Sequence, residues 1–196
     1  MADIKSCKLA FIGGGNMGAA IIAGLLSQGS TSPDNIIVSE PWDVNRDKMS
    51  SKYGVRTTTS NAEAASGADV LVLAVKPQVA KDVCKELAAS WGNGSEKSSS
   101  LPLVVSIVAG VTMTSLKAWL TGADGRSPKL VRVMPNTPAL VGEGASGAYA
   151  GEGVEKDERE LVTLLLEAFG KVTEWVDKEE LIDVVTGLSG KISRPL

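Results

Sequence analysis

The chain has 196 residues, 43% of them hydrophobic and 22% charged, with a net charge of −3. This is the balance of a globular protein large enough for one packed domain and an appendage. The small charge and the 4% aromatic content leave no electrostatic or stacking case for nucleic acid, and no apolar run is long enough to span a bilayer.

In chain order, Lys8–Ile12 (KLAFI) is a short apolar strand that runs into glycines, with no signal or transit peptide expected before it. Met17, Ile21, Ile22, Leu25 and Leu26 recur at helical spacing and predict a helix over 16–27. STSPDN is turn chemistry, Ile36–Ser39 is a second strand, and helices are expected over 44–53 and 61–66. The run DVLVLAV, 69–75, is apolar throughout, as in a central parallel strand buried on both faces. Val79, Val83 and Leu87 define one stripe of the next helix, and WGNGSEKSSS, 91–100, is a surface loop.

Leu103–Val108 is another buried strand, followed by a helix through Leu116, Trp119 and Leu120 that Thr112 or Thr114 caps. Strands are expected over 129–134, 145–150 and 171–176. A helix over 154–169 shows an apolar face of Leu161, Leu164, Leu165 and Phe169, and EELIDVV, 179–185, begins one more. Strands alternating with helices predict an α/β fold: a Rossmann-like, doubly wound, mostly parallel sheet over residues 1–176.

FIGGGNMGAA holds Gly13-x-Gly15-x-x-Gly18 between the first strand and the first helix. Gly13 makes the tight turn, Gly15 lets backbone approach a pyrophosphate, and Gly18 permits close helix packing. Backbone N–H groups at the helix start face the anion. A βα turn that binds nothing is the competing reading.

Glu40 lies 22 residues past Gly18, where an acid takes the ribose 2′-OH of NAD. Ser39, Arg46 and Lys48 stand around it and suit a 2′-phosphate instead, unless Arg46 and Lys48 are simply solvated helix charges. Trp42 packs on the adenine ring or covers its helix. AVKPQ (74–78), IVAGVT (107–112) and VMPNTPALVGEG (133–144) each follow a strand, at the end where open α/β sheets bind ligands. The two prolines that flank Asn136 and Thr137 stiffen the third loop.

The chain has no histidine, which removes the His acids and bases of many dehydrogenases. A metal site would need cysteine and carboxylates alone, so none is expected. Two lone cysteines, Cys7 and Cys84, fit a reducing compartment, and a cytoplasmic protein is expected.

FIGGGNMG, LAVKPQ, MPNTPALVGEGASGAYA and DVVTGLSG, in this order from about Leu9 to Gly190, together resemble Δ1-pyrroline-5-carboxylate reductase, in its cytosolic plant branch. The resemblance implies the last step of proline biosynthesis: hydride transfer from NADPH, or less tightly NADH, to the C=N carbon of a small cyclic imine. It maps cofactor contacts onto Ile12, Gly13, Gly14, Gly15, Asn16 and Met17, onto Ser39 and Asn61, and onto Ala74, Val75, Lys76, Pro77, Ile107, Val108 and Ala109; the glycine motif and the end of the second strand add Gly18 and Arg46 to these. Asn136 and Thr137 form the substrate-side loop.

The resemblance also implies a homo-oligomer built by a C-terminal all-helical domain. In the family TGLSG continues as SGPAY; here it continues as KISRPL. Residues 177–190 are therefore expected to be the start of a linker helix, and 191–196 a divergent tail of an alternative splice product or an engineered end. Without the helical domain, Leu181, Ile182 and Val185 are expected to lose part of their cover. The chain is therefore expected to bind cofactor but reduce imine poorly; the alternative is a dinucleotide-binding isoform without turnover, and a third, weaker one is another imine or 3-hydroxy-acid dehydrogenase.

Overall fold

The computed structural model describes residues 4–92, 100–135 and 144–182. The Asn136–Thr137 loop, Val185, TGLSG and the 191–196 tail lie outside these residues. Eight strands form one sheet: β1 (Leu9–Ile12), β2 (Ile36–Ser39), β3 (Arg56–Thr58), β4 (Val70–Leu73), β5 (Leu103–Ser106), β6 (Leu130–Pro135), β7 (Gly144–Ala150) and β8 (Gly170–Val176). Their order across the sheet is β3-β2-β1-β4-β5-β6-β7-β8. Strands β1 to β6 are mutually parallel, β7 is antiparallel to β6, and β8 is parallel to β7. The sheet is thus Rossmann-like and mostly parallel, and its winding direction reverses between β1 and β4.

The helices are α1 (Asn16–Ser27), α2 (Asp43–Tyr53), α3 (Asn61–Ala65), α4 (Pro77–Gly92), α5 (Met113–Leu120) and α6 (Lys156–Glu167). Strand residues alternate between two cores. Leu9, Phe11, Val70, Val72, Val131 and Val133 pack with Ile21, Ile22 and Leu25 of α1, Met49 of α2 and Val162, Leu165 and Leu166 of α6. Ala10, Ile12, Leu71, Leu73 and Val104 pack on the other face with Ala64 of α3, Ala80, Cys84 and Leu87 of α4, and Leu116 and Leu120 of α5. Central strands buried on both faces read as unbroken apolar runs for this reason.

Several expectations need correction. The stripe on α4 is rotated: Val79 is exposed, and the helix buries Ala80, Cys84 and Leu87 instead. Small residues at 80 and 84 let α4 lie close to the sheet, so size and not hydropathy chose the face. On α6, Leu164 is 39% exposed, while Val162 and Leu166 join Leu165 in the core. Strand β3, RTT, was not expected, because three residues with one charge carry no readable alternation. Trp91 and Gly92 close α4 and do not begin a loop. Thr112 is the cap of α5; its hydroxyl accepts from the N–H of Ser115. Ile182, expected to be partly uncovered, is fully buried, whereas Leu181 beside it is exposed as expected.

Candidate functional site

Since β1 to β6 run in parallel, the turns after β1, β2, β4 and β5 share one edge of the sheet. The turn after β1 is built from glycines for separate reasons. Gly13 has φ +104°, in the left-handed region, and a Cβ there would stand 2.6 Å from the carbonyl oxygen of Ala74. Its N–H donates to the carbonyl of Ser39 at 2.8 Å, tying the loop to the end of β2. A Cβ on Gly18 would approach the Gly13 carbonyl oxygen to 2.8 Å, so α1 can start this close to the turn only with glycine.

Gly15 differs. A Cβ there would meet no protein atom within 4 Å. Gly15 and Asn16 are exposed and Met17 is half-buried, and Gly15 caps α1 with no side-chain hydrogen bond. The first N–H groups of the helix thus lack a side-chain acceptor at an open face, where an anion fits. The space at Gly15 is what a pyrophosphate between β1 and β4 requires, so the residues present fit a dinucleotide.

Gly14 is buried, and its N–H donates to Oε2 of Glu40 at 2.8 Å. The other oxygen, Oε1, accepts from the N–H of Trp42 at 3.1 Å. Glu40 is only 5% exposed. Ser39, also buried, donates its hydroxyl to Oδ1 of Asn61 at 2.7 Å, and the amide of Asn61 donates to Glu86 at 2.8 Å. Arg46 folds back over the β2–α2 turn: its Nη1 donates to the carbonyls of Glu40 and Pro41, each at 2.8 Å, and its Nη2 pairs with Asp43. Ser39, Asn61 and Arg46 are therefore brought together, each already engaged within the protein. Trp42 is 70% exposed, so it covers little of its helix.

On the other side of the switch point, the Ala74 N–H donates to the carbonyl of Ile12, and the Ile107 N–H to that of Leu73. The first bond sets Ala74–Pro77 beside the glycine turn, and the second sets Ile107–Ala109 beside the end of β4. Ala74, Val75 and Ile107 are half-buried, Val108 is buried, and Lys76, Pro77 and Ala109 are exposed.

One group escaped the sequence reading. Arg132 of β6, 5% exposed, donates from Nη1 to Oε1 of Glu179 at 2.9 Å, and the same oxygen accepts from the N–H of Met113 at 2.7 Å. Glu179 thus joins β6 to the first turn of α5. A charge inside the strand LVRVMP was the only signal for it. Among the described residues no group of three or more His, Cys, Asp or Glu is arranged to hold a metal ion, and no helix is long and apolar enough to cross a membrane.

Comparison with known proteins agrees with this geometry. The chain is 43% identical over 183 residues to the pyrroline-5-carboxylate reductase of Pseudomonas aeruginosa, covering 93% of this chain and 62% of that protein. The solved pyrroline-5-carboxylate reductase of Coxiella burnetii superposes with a TM-score of 0.83 at 38% identity, over 94% of this chain and 64% of that one. The pyrroline carboxylate reductase of Plasmodium falciparum, solved with NADP bound, gives 0.74 at 27% identity, over 95% and 63%. The chain thus spans somewhat under two thirds of the length of the relatives it matches. The model of the family described as NADP oxidoreductase, coenzyme F420-dependent, matches residues 8–110, more than half of the chain, and the chain belongs to that family.

Proposed function

We propose that the chain carries the cofactor-binding half of a pyrroline-5-carboxylate reductase, with NADPH as its preferred dinucleotide and NADH as the second. The observation that carries this reading is the identity to such reductases across 93% of the chain, which falls on a glycine turn left open at Gly15. When bound, the nicotinamide supplies a hydride for the C=N carbon of 1-pyrroline-5-carboxylate, and the product is L-proline.

The chain's own residues bind and orient. Gly15 leaves room for the phosphates, and the first turn of α1 offers N–H donors to them. Ala74–Pro77 and Ile107–Ala109 follow β4 and β5, on the side of the switch point where the reacting ring belongs. A protonated cyclic imine is already a good electrophile, so the reaction needs positioning more than a strong base. A chain without histidine is compatible with that. Asn136 and Thr137 follow Pro135 of β6, and we assign them to the substrate side.

A second reading for the 196-residue chain assayed alone is dinucleotide binding without imine reduction. The span of 62% of the relatives' length favours it. Two finer expectations accompany the first reading. Cys7 and Cys84 are free thiols, which supports a reducing, cytoplasmic setting. The relatives' additional length supports assembly outside these residues, and an alternative-splicing origin for residues 191–196 rests on KISRPL alone.

The test joins a calorimetric titration with NADPH and NADH to steady-state assays of imine reduction and proline oxidation. Binding with turnover supports the first reading. Binding without turnover supports the second, and absence of binding by either dinucleotide overturns both.

A further inference from the structure

Glu40 occupies the position at the end of β2 where an acid reads the adenosine ribose. In this chain its carboxylate is turned inward. Oε2 accepts from Gly14 at 2.8 Å and Oε1 from Trp42 at 3.1 Å, and the residue is 5% exposed. Both donors are backbone N–H groups, one in the glycine turn and one at the cap of α2. Hydrogen bonds to a carboxylate are stronger than neutral ones, and a buried N–H left without an acceptor is costly.

Packing supports the same role. A Cβ on Gly14 would come within 3.3 Å of Oε2 and 3.4 Å of Cβ and Cγ of Glu40. The missing side chain at position 14 thus leaves space for Glu40, whereas the missing side chain at 15 leaves space for a ligand. Two further bonds fix Glu40 itself: its N–H donates to the carbonyl of Thr58 at 3.0 Å, and its carbonyl accepts from Arg46 at 2.8 Å. The residue therefore spans three elements, the glycine turn, β3 and the start of α2.

We infer that Glu40 is a positioning residue that holds the glycine turn through the Gly14 N–H, and that it does not read the ribose. This deepens the dinucleotide reading given above and rests on it. Glu40 acts through the turn that meets the pyrophosphate, which NADH and NADPH share, so its loss weakens both alike. Discrimination between the two is left to other groups at the β2 end.

The experiment uses the 196-residue chain and its Glu40→Gln and Glu40→Ala variants. Affinities for NADPH and NADH are measured by calorimetric titration, and exchange of the Gly14 amide hydrogen is followed by NMR without any cofactor. Gln keeps the shape of the side chain and one acceptor oxygen, so it guards against a folding defect in the Ala variant. The expected result is a fall of about tenfold for both dinucleotides in Glu40→Ala, a smaller fall in Glu40→Gln, an unchanged NADPH-to-NADH ratio, and faster exchange at Gly14. A selective loss of NADH, with NADPH unchanged or tighter, would overturn the inference and make Glu40 a ribose reader. Unchanged exchange at Gly14 in both variants would overturn it as well. If the parent chain binds neither dinucleotide, the functional reading fails, while the exchange arm still decides whether Glu40 holds Gly14.

Discussion

A Cβ placed on Gly24 of α1 would stand 1.8 Å from the carbonyl oxygen of Ala168, the residue that ends α6. The two helices approach this closely because Gly24 presents only hydrogen. In an open helix, Gly→Ala stabilises by about 1 kcal/mol. Here the methyl must push a helix end off the Ile22–Leu166 core, and overpacking of this kind costs roughly 1–3 kcal/mol. Gly24→Ala is expected to lower the urea midpoint. A stabilised variant would show that α1 and α6 separate easily.

Gly15→Val tests the open position. A Cβ at this position meets no protein atom within 4 Å, so the variant should fold normally, with a melting temperature within about 2 °C of the parent. Its isopropyl group fills the path of the phosphates. NADPH affinity should fall by roughly 100-fold or more, about 2.7 kcal/mol. A folded variant with parental affinity would place the pyrophosphate elsewhere.

Glu179→Ala removes the acceptor shared by Arg132 and Met113. Losing one charge-assisted hydrogen bond of the buried Arg132 and the acceptor of the Met113 N–H costs roughly 1.5–3 kcal/mol. Glu179→Gln keeps an oxygen for the Met113 N–H and is expected to cost less. Urea denaturation of both variants, with hydrogen exchange at Met113, checks the order. Equal losses would assign the whole effect to charge.

Cys84 lies in the α4 core, and burial pushes its thiol from an ordinary 9.0 up to about 11. It should resist thiol reagents in the folded protein at pH 8, while half-buried Cys7 reacts first. The native state then holds a proton that the unfolded chain releases near pH 9. Stability should therefore fall as the pH rises from about 9 to 11, by an amount on the order of 2 kcal/mol that Cys84→Ala abolishes. Urea midpoints from pH 8 to 10.5 in parent and variant measure it.

Much of the architecture was legible in the sequence because the signals were local. The α1 bounds followed from helical spacing between a glycine turn and Ser27, and β2 from IIVS between turn residues. Gly13, Gly15 and Gly18 were assigned the turn, the open approach and the close packing that the geometry gives them. The face of α4 was not legible, since Ala80 and Cys84 are buried for their size. Nor was the inward turn of Glu40, because its partners are backbone N–H groups of residues 14 and 42, which no side-chain pattern encodes. The Arg132–Glu179 pair joins residues 47 apart in sequence, and its register depends on the antiparallel step at β7.

That step has a geometric consequence. Ser106, the last residue of β5, is level with Arg132, so Val133–Pro135 of β6 rise past the end of β5 and pair with β7 alone. Strands β7 and β8 thus form a parapet along the rim where the glycine turn lies. Strand β8 descends this parapet and ends at Val176, level with Tyr149 and hence with Arg132. Glu179 then fastens the chain at the head of α5. Ile182, the last described residue, therefore stands near the rim and not on the far side of the sheet.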